Sequence, residues 1–588
     1  MIDFQQFKDS RKIEEFIIDA GLHPLLGAMV ESLQIPNYID RLCGPFDKRL
    51  LLTPGQLAKA LIVNVLDGRT PIYKVAESFE SVDCEVFFGQ GIKAEDLTED
   101  RLGTALDLIG ELDLGLLFSH ISMRAMQLYG IQTDVVHIDT TNFSVFGEYD
   151  TEDYKGFNAT ACGAPKSGRR DLKAIGLGTA VTGNKTPFLF EALSGKSSDA
   201  VWFRSALTET TKLFQGDLYS RPVLIFDAAA SNKEMFESAS TLEAPSIIRL
   251  SRVFKEAEEA VCKAWEENNW QHVGVLATNK QGASEYKISS YDFHEVSGWR
   301  LIVVHSSGLE KSKRKSLDKN IATKRETIEK DAIVLGKKVF ESKEKAIDAA
   351  EKLVKKHITA KIPLQYSVDV VTEEIEKYAR PGRPTPNTPK ITVTNYYVKF
   401  RLGETDVERY NSIIQQESCF VLVDNVPKDR CSDKEILERY KGQWRIENTF
   451  QFIKTPLDFG PLWLNTPKRI KALLFLIVLS VLTANFLLYR LHASLSGSPC
   501  GEEDPKAHPR KFADVTGRRV DKPTYNMVRE HLLKLKVIIY YDQEQKRWVR
   551  EFPRQTRNKL LQIIVDIGFN PKIYLEPYRG SFDLWCYS

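Results

Sequence analysis

The stretch from Ala472 to Leu488 is almost wholly apolar, with Thr483 and Asn485 as its interruptions. About 17 residues is the lower limit for crossing a bilayer as a helix. The stretch must therefore be a marginal membrane span or the buried helix of a large core. Its shortness and its two polar residues favour the core helix. A core of that size needs much chain around it, and 588 residues supply it. At roughly 150 residues per domain, the length allows about four domains. With 27% charged and 43% hydrophobic residues, the composition is that of a globular protein, which excludes a collagen, a disordered tail and a disulfide scaffold.

The eight cysteines have no close spacing of the metal-knuckle or redox-pair kind, so reduced thiols and a cytoplasmic location are expected. The N-terminus, MIDFQQFKDSRKIEEF, lacks the apolar core of a signal peptide. Lys and Arg number 81 against 79 Asp and Glu, a net charge of +2. That total gives no bulk signal for nucleic acid. It is a sum of opposites, however. Residues 1–130 hold 12 basic and 20 acidic residues, whereas Lys311 to Lys356 holds 15 basic and 8 acidic, and the C-terminal stretch is basic too. DNA is therefore expected along the middle and C-terminal regions, and protein contacts along the acidic N-terminal surface.

Pattern divides the chain into five segments. Residues 1–130 read as a helical domain, with Thr53-Pro54 as an N-cap and first helical residue. Residues 131–251 alternate strands and helices, which implies an α/β layer. Within them, "DVVHIDTTNFSVFGEY" reads as two short strands joined by a polar turn. Residues 252–428 form a β-rich insertion with a charged helical arm. "ARPGRPTPNTP" inside it reads as a proline-rich linker, and its Arg380-Pro381-Gly382-Arg383-Pro384 resembles a minor-groove hook. Residues 429–490 are helical: Ser432 and Glu435 make a capping box, a helix should run to about Lys454 before Pro456, and Thr466-Pro467 should start the apolar helix. Residues 491–588 are a small basic C-terminal domain.

Three carboxylates stand out by context. Asp139 lies near the end of the strand "DVVHID", and Asp227 closes the apolar run "VLIFD". A carboxylate at the end of a buried strand must be paired, bind a metal or bear a desolvation cost, and ligands gather at the carboxyl ends of strands in open α/β sheets. Either could equally be a turn or cap residue. The helix after Ser432 places Tyr440, Gln443, Glu447 and Lys454 within roughly 60° of one another. One face would then offer a carboxylate beside phosphate-binding groups, or be merely a polar surface. His137, two residues before Asp139, shares its strand face and reads as a core or supporting residue rather than a ligand.

These residues together resemble a DDE transposase of the bacterial insertion sequence 4 superfamily, nearest the insertion sequence 1634 branch, over nearly the whole chain. The first acid is Asp139 in "HIDTTNFSVFGEY", followed by "GAPKSGRRDLKAIGLG" and "LSGKSSDA". The second is Asp227 in "FDAAASNKEMF". The third is Glu447 in "YKGQWRIENTFQFIK". Tyr440, Glu447 and Lys454 match the family's signature, whereas Gln443 stands where Arg is usual, and Arg445 is about 200° away on a helix. The basic "DKPTYNMVREHLLKLKVII" resembles the branch's tail. The resemblance implies an RNase H-like core interrupted by the insertion, with Asp139, Asp227 and Glu447 holding two Mg²⁺ ions, Mn²⁺ being able to substitute. It implies cleavage of double-stranded DNA at the element's terminal inverted repeats, then transfer of the freed 3′-hydroxyl into target DNA by a homodimer on the DNA. Tyr440, Gln443 and Lys454 would lie on phosphates. Lys166, Arg169, Arg170 and Lys173 would grip DNA, and Trp299 or Trp444 would stack on a base or belong to the core. A domesticated, non-catalytic DNA-binding protein and a stand-alone RNase H-like nuclease are the alternatives.

Overall fold

The computed structural model describes residues 15–46, 50–68, 70–145, 154–158, 160–161, 172–195, 197–276, 283–379, 389–443, 446–447, 449–450, 464, 466–497, 509–554, 556 and 558–579. The protein is mixed α/β. It forms two compact units, residues 1–246 with 439–588, and residues 247–438.

The first unit opens with a strand, β1 (Glu15–Asp19), in a region whose pattern reads as helical. Five residues carry too short a period to read, and what holds them as a strand comes from far along the chain, as described below. Helices follow through residue 128. Among them, Pro54–Asp67 starts as expected: Thr53 accepts the Gln56 N–H, and Gln56 accepts the Thr53 N–H in return. The sheet of this unit contains β2 (Val135–Val145), β3 (Thr160–Ala161), β4 (Lys173–Thr182), β5 (Pro187–Ser194) and β6 (Val223–Phe226) in the order β3-β4-β2-β6, with β5 also on β4. It is a mixed sheet: β2 runs antiparallel to β4 and parallel to β6.

Here the sequence reading needs correction. "DVVHIDTTNFSV" is one eleven-residue strand, not two strands and a turn. Thr140, Thr141, Phe143 and Val145 are residues that suit a pleated surface, and they continue the ladder with β4 to Val145↔Lys173. Asp139 therefore lies in mid-strand.

The second unit holds β7 (Ser246–Arg249), β8 (Gln271–Val275), β9 (Glu285–Asp292), β10 (Arg300–Ser306), β11 (Leu364–Tyr378), β12 (Lys390–Thr405) and β13 (Cys419–Asp424). Strands β7-β13-β10-β9-β8 form an antiparallel array. The charged stretch folds as two helices, Ser307–Gly336 and Lys343–His357. They share apolar clusters with β11 and β12 around Leu317, Ile321, Ile328 and Phe340. The proline-rich segment is not a linker between domains. Residues 380–388 lie outside the described residues, but β11 and β12 pair with each other along their length, and the Ala379 N–H donates to Pro389 O at 2.8 Å. The segment is thus the connection of a long β-hairpin.

The C-terminal part of the chain returns to the first unit with β14 (Phe512–Ala513), β15 (Arg519–Val520), β16 (Lys536–Asp542) and β17 (Arg547–Glu551). β16 pairs with both β1 and β17, so the two ends of the chain share one small sheet. Arg550, 8% exposed, ties them further through Asp83 (2.6 Å) and Glu85 (2.9 Å).

The apolar stretch is the middle of a 30-residue helix, Pro467–Ser496. Thr466-Pro467 begins it, though the Thr466 side chain caps nothing. It runs past Arg490 to Gly497, whose φ of 80° is a left-handed stop that glycine adopts without strain. Long and apolar enough to cross a membrane, it is instead mostly buried within the protein, packed on helices Pro54–Asp67 and Glu99–Glu111 and on β5. Ser480 and Thr483 satisfy their hydroxyls on carbonyls one turn back, at 2.8 Å each, and Asn485 donates to Lys185 O.

Candidate active site

Strand pairing brings Asp139 and Asp227 side by side. The parallel ladder of β2 and β6 ends at Ile138↔Phe226, so the next residues on the two strands are the two aspartates. Residues opposite each other in a parallel pair point to the same face, with strands about 4.8 Å apart. Asp227 still has extended backbone (φ −80°, ψ −175°) and so continues the strand by one residue. Both are half-buried, unlike the apolar residues before them: Ile138 and Phe226 are 1% and 0% exposed. The carboxylates thus stand half-exposed where the parallel ladder ends, although β2 continues past Asp139 with buried residues.

Local hydrogen bonds orient both groups. An oxygen of Asp139 accepts the Thr140 N–H at 2.7 Å, and one of Asp227 accepts the Ala229 N–H at 2.9 Å. Thr140 in turn donates its hydroxyl to Asp199 Oδ1 at 2.8 Å, which fastens the first residue of helix Asp199–Leu213 to the strand beside Asp139. Sequence reasoning gave Asp199 no role, although it lies in the block "LSGKSSDA". His137 is fully buried on the same strand face as Asp139, inside the sheet.

The third acid is placed differently. The capping box of Ser432 and Glu435 forms (2.8 and 3.3 Å), and the helix runs from Asp433 to Lys441. It does not continue unbroken to Lys454. Gly442 and Gln443 form a turn, with N–H bonds to the carbonyls three residues back, and Ile446 N–H bonds Gln443 O in the same way. Glycine is a poor helix residue, and it loosens the helix where a single face was expected to carry four residues. Tyr440 is buried, Gln443 half-buried and Glu447 exposed, so these three do not share one solvent face. Among the described residues, no three His, Cys, Asp or Glu side chains are placed to hold a metal ion. The structure brings Asp139 and Asp227 side by side, and Glu447 does not complete a three-residue metal cluster with them.

Of the expected DNA contacts, Lys173 starts β4 opposite Val145. At about 3.4 Å per residue that is roughly 20 Å along the strand from Asp139. Lys166, Arg169, Arg170, Lys454 and Trp444 lie outside the described residues. Trp299 is 3% exposed and belongs to the core.

The two carboxylates suit a hard cation. Mg²⁺ is commonly held by one or two carboxylates, with waters and substrate phosphates filling its other positions, rather than by an all-protein cage. Asp139 and Asp227 are the residues that would hold such an ion.

Residues 18–123 match the family "Domain of unknown function (DUF4277)". No curated protein matches the chain. Among solved structures, the chain is similar to a piggyBac transposase synaptic complex with hairpin DNA, determined by cryo-EM, at 11% identity and a TM-score of 0.26. The match covers 48% of this chain and 57% of that one, little more than half of its length.

Proposed function

We propose that the chain is a DDE transposase with an RNase H-like catalytic core, of the insertion sequence 4 superfamily and its insertion sequence 1634-like branch. The observation that carries the reading is the pair Asp139–Asp227. The two acids that the sequence resemblance singles out, 88 positions apart, are neighbours at the end of a parallel strand pair, half-open to solvent. In this reading Asp139 and Asp227 hold Mg²⁺, with Mn²⁺ as a substitute, and Glu447 joins them when DNA is bound. The ion would supply positive charge for activating the attacking oxygen and stabilising the leaving one in an in-line displacement at phosphorus. The protein's own part is positioning. The Thr140 and Ala229 amides fix the carboxylates, Asp199 fixes the strand through Thr140, and the buried sheet beneath prevents either acid from retreating. The substrate is double-stranded DNA at the element's terminal repeats, the second step is strand transfer into target DNA, and the enzyme acts in the cytoplasm as a homodimer on the DNA.

The test is Mg²⁺-dependent nicking of a labelled duplex that carries the element's end. Asp139→Asn, Asp227→Asn and Glu447→Gln should each abolish it while leaving the far-ultraviolet circular dichroism and melting temperature unchanged. Full cleavage by any one variant removes that residue from the catalytic set. A second reading, a non-catalytic DNA-binding descendant, is favoured by one observation, that among the described residues no third carboxylate joins the pair. It requires that the wild-type protein bind the end and never cut it.

A further inference from the structure

The helix Ser307–Gly336 of the second unit has 30 residues, about 45 Å at 1.5 Å per residue. Several basic side chains along the arm are neutralised in place. Lys313 pairs with Glu417 at 2.6 Å, and Arg314 pairs with Glu310 at 2.9 Å. The following helix, Lys343–His357, does the same: Lys345 pairs with Glu341, Lys352 with Asp348, and Lys356 with Asp331.

Lys311, Lys315 and Lys319 have no such pair, and neither do Lys324, Arg325 and Lys330 further along the helix, but only the first three follow one another at a spacing of four. These three are exposed, and among the described residues none has a carboxylate within 4.0 Å. Their spacing of four residues puts them on one side of the helix, within about 80°, at steps of about 6 Å. The carboxylate on that face between Lys311 and Lys319, Asp318, accepts the Tyr410 hydroxyl at 2.8 Å instead of pairing with a lysine. Like charges at i,i+4 destabilise a helix by a few tenths of a kcal/mol per pair. The column thus opposes its own helix, while Lys313 and Arg314, between its first two members, are paired. Leu317, Ile321 and Ile328 on the helix's other side are buried and anchor it against its neighbours. Ser312 and Ser316 lie exposed along the column's flank and add hydroxyl groups there.

We propose that the Lys311–Lys315–Lys319 column holds the phosphate backbone of duplex DNA without reading its sequence. A row of ammonium groups at fixed intervals complements an evenly charged, stiff polyanion. A rigid row gains less from a flexible single strand. The proposal deepens the transposase reading by naming a surface that holds its DNA, and it is tested on binding alone so that the two can fail separately.

The experiment uses the full chain carrying Asp139→Asn, without divalent cations, and reads fluorescence anisotropy of a labelled 30-base-pair duplex across a salt series. Changing Lys311, Lys315 and Lys319 together to Gln should lower the slope of log K against log salt by up to ~2.7, at about 0.9 for each phosphate no longer neutralised. The same three changed to Arg should keep the slope. Lys345→Gln with Lys352→Gln, which removes lysines already paired, should leave it unchanged. Gln is nearly as good a helix former as Lys, so the variants should melt together. An unchanged slope in the Gln triple overturns the proposal. So does an equal loss in the Arg triple, or tighter binding of duplex RNA or anionic vesicles than of DNA. Loss of cleavage in Asp139→Asn with an unchanged salt slope in the Gln triple would keep the catalytic reading and discard this one.

Discussion

Asp227 follows Val-Leu-Ile-Phe, and Asp424 closes Phe-Val-Leu-Val. In sequence the two are alike, each an aspartate at the end of a short apolar strand. In the fold they diverge. Asp424 is fully buried, and Arg300 Nε lies 3.1 and 3.0 Å from its two oxygens, while the Val426 N–H donates to it at 3.2 Å. Arg300, 6% exposed, also reaches Asp433 and the Cys431 carbonyl. Asp227 is half-exposed, with a second carboxylate as its cross-strand neighbour. The difference lies in the neighbouring strand. Beside Asp424, β10 runs antiparallel and brings Arg300, its first residue, opposite. Beside Asp227, β2 runs parallel and brings another carboxyl group alongside. Antiparallel pairing sets a cation opposite Asp424, whereas parallel pairing aligns two acids.

The largest effects should separate the two aspartates completely. Asp227→Asn should lower DNA cleavage by about a thousandfold or more, about 4 kcal/mol of barrier at 1.36 kcal/mol per decade, with no change in urea midpoint. Asp424→Ala should do the reverse. It leaves the buried Arg300 with only Asp433 as a carboxylate partner, which costs up to about 3–5 kcal/mol, the loss when one partner of a buried pair is removed, and cleavage per folded molecule should stay the same. If Asp424→Ala cut poorly at full stability, or Asp227→Asn unfolded the chain, the contrast would collapse.

A smaller effect is written in pH. Burial pushes the Asp424 carboxyl up to about 6, against the opposing pull of Arg300. A folded-state pKa above the unfolded value of about 4 means that the folded protein holds the proton more tightly. That contribution to stability is complete below pH 4 and is lost as pH rises through 6. Denaturation midpoints measured from pH 4 to 7 should therefore fall more in wild type than in Asp424→Asn. The difference should be no more than roughly 3 kcal/mol, at 1.36 kcal/mol per pKa unit. Parallel pH profiles for the two proteins would show that Asp424 stays ionised throughout.

Short-range patterns were legible in the sequence where one physical rule decided them. The N-cap at Thr53, the capping box at Ser432, the buried strands at 223 and 419 and the apolar core helix all follow from local chemistry. What was not legible depended on partners far away. Nothing in "EFIID" announces β1, because its pairing with β16 spans more than 500 positions. Asp139 read as a strand end because its partner β4 was not visible beyond it. The break at Gly442 was hidden by a periodicity that assumed an intact helix. The same assumption placed Tyr440 on an open face, when the residue is only 7% exposed.

Gln443 gives the smallest expected effect and the finest test of this lesson. The resemblance expects Arg here to grip a phosphate, and the structure puts the residue at the turn between two helical segments, where its carbonyl accepts the Ile446 and Glu447 N–H groups. Those are backbone bonds, so Gln443→Arg can keep them. Its side chain is half-buried, and a guanidinium there can direct its charge outward along an apolar stem. DNA affinity should then be preserved or rise, with the salt slope steepening by no more than ~0.9, one phosphate's worth. A clear loss of affinity would mean that the neutral amide has its own task at the turn. Residue 443 would then resemble Asp424, a position held by its protein neighbours, and not Asp227, the half-exposed acid proposed to meet the substrate's metal ion.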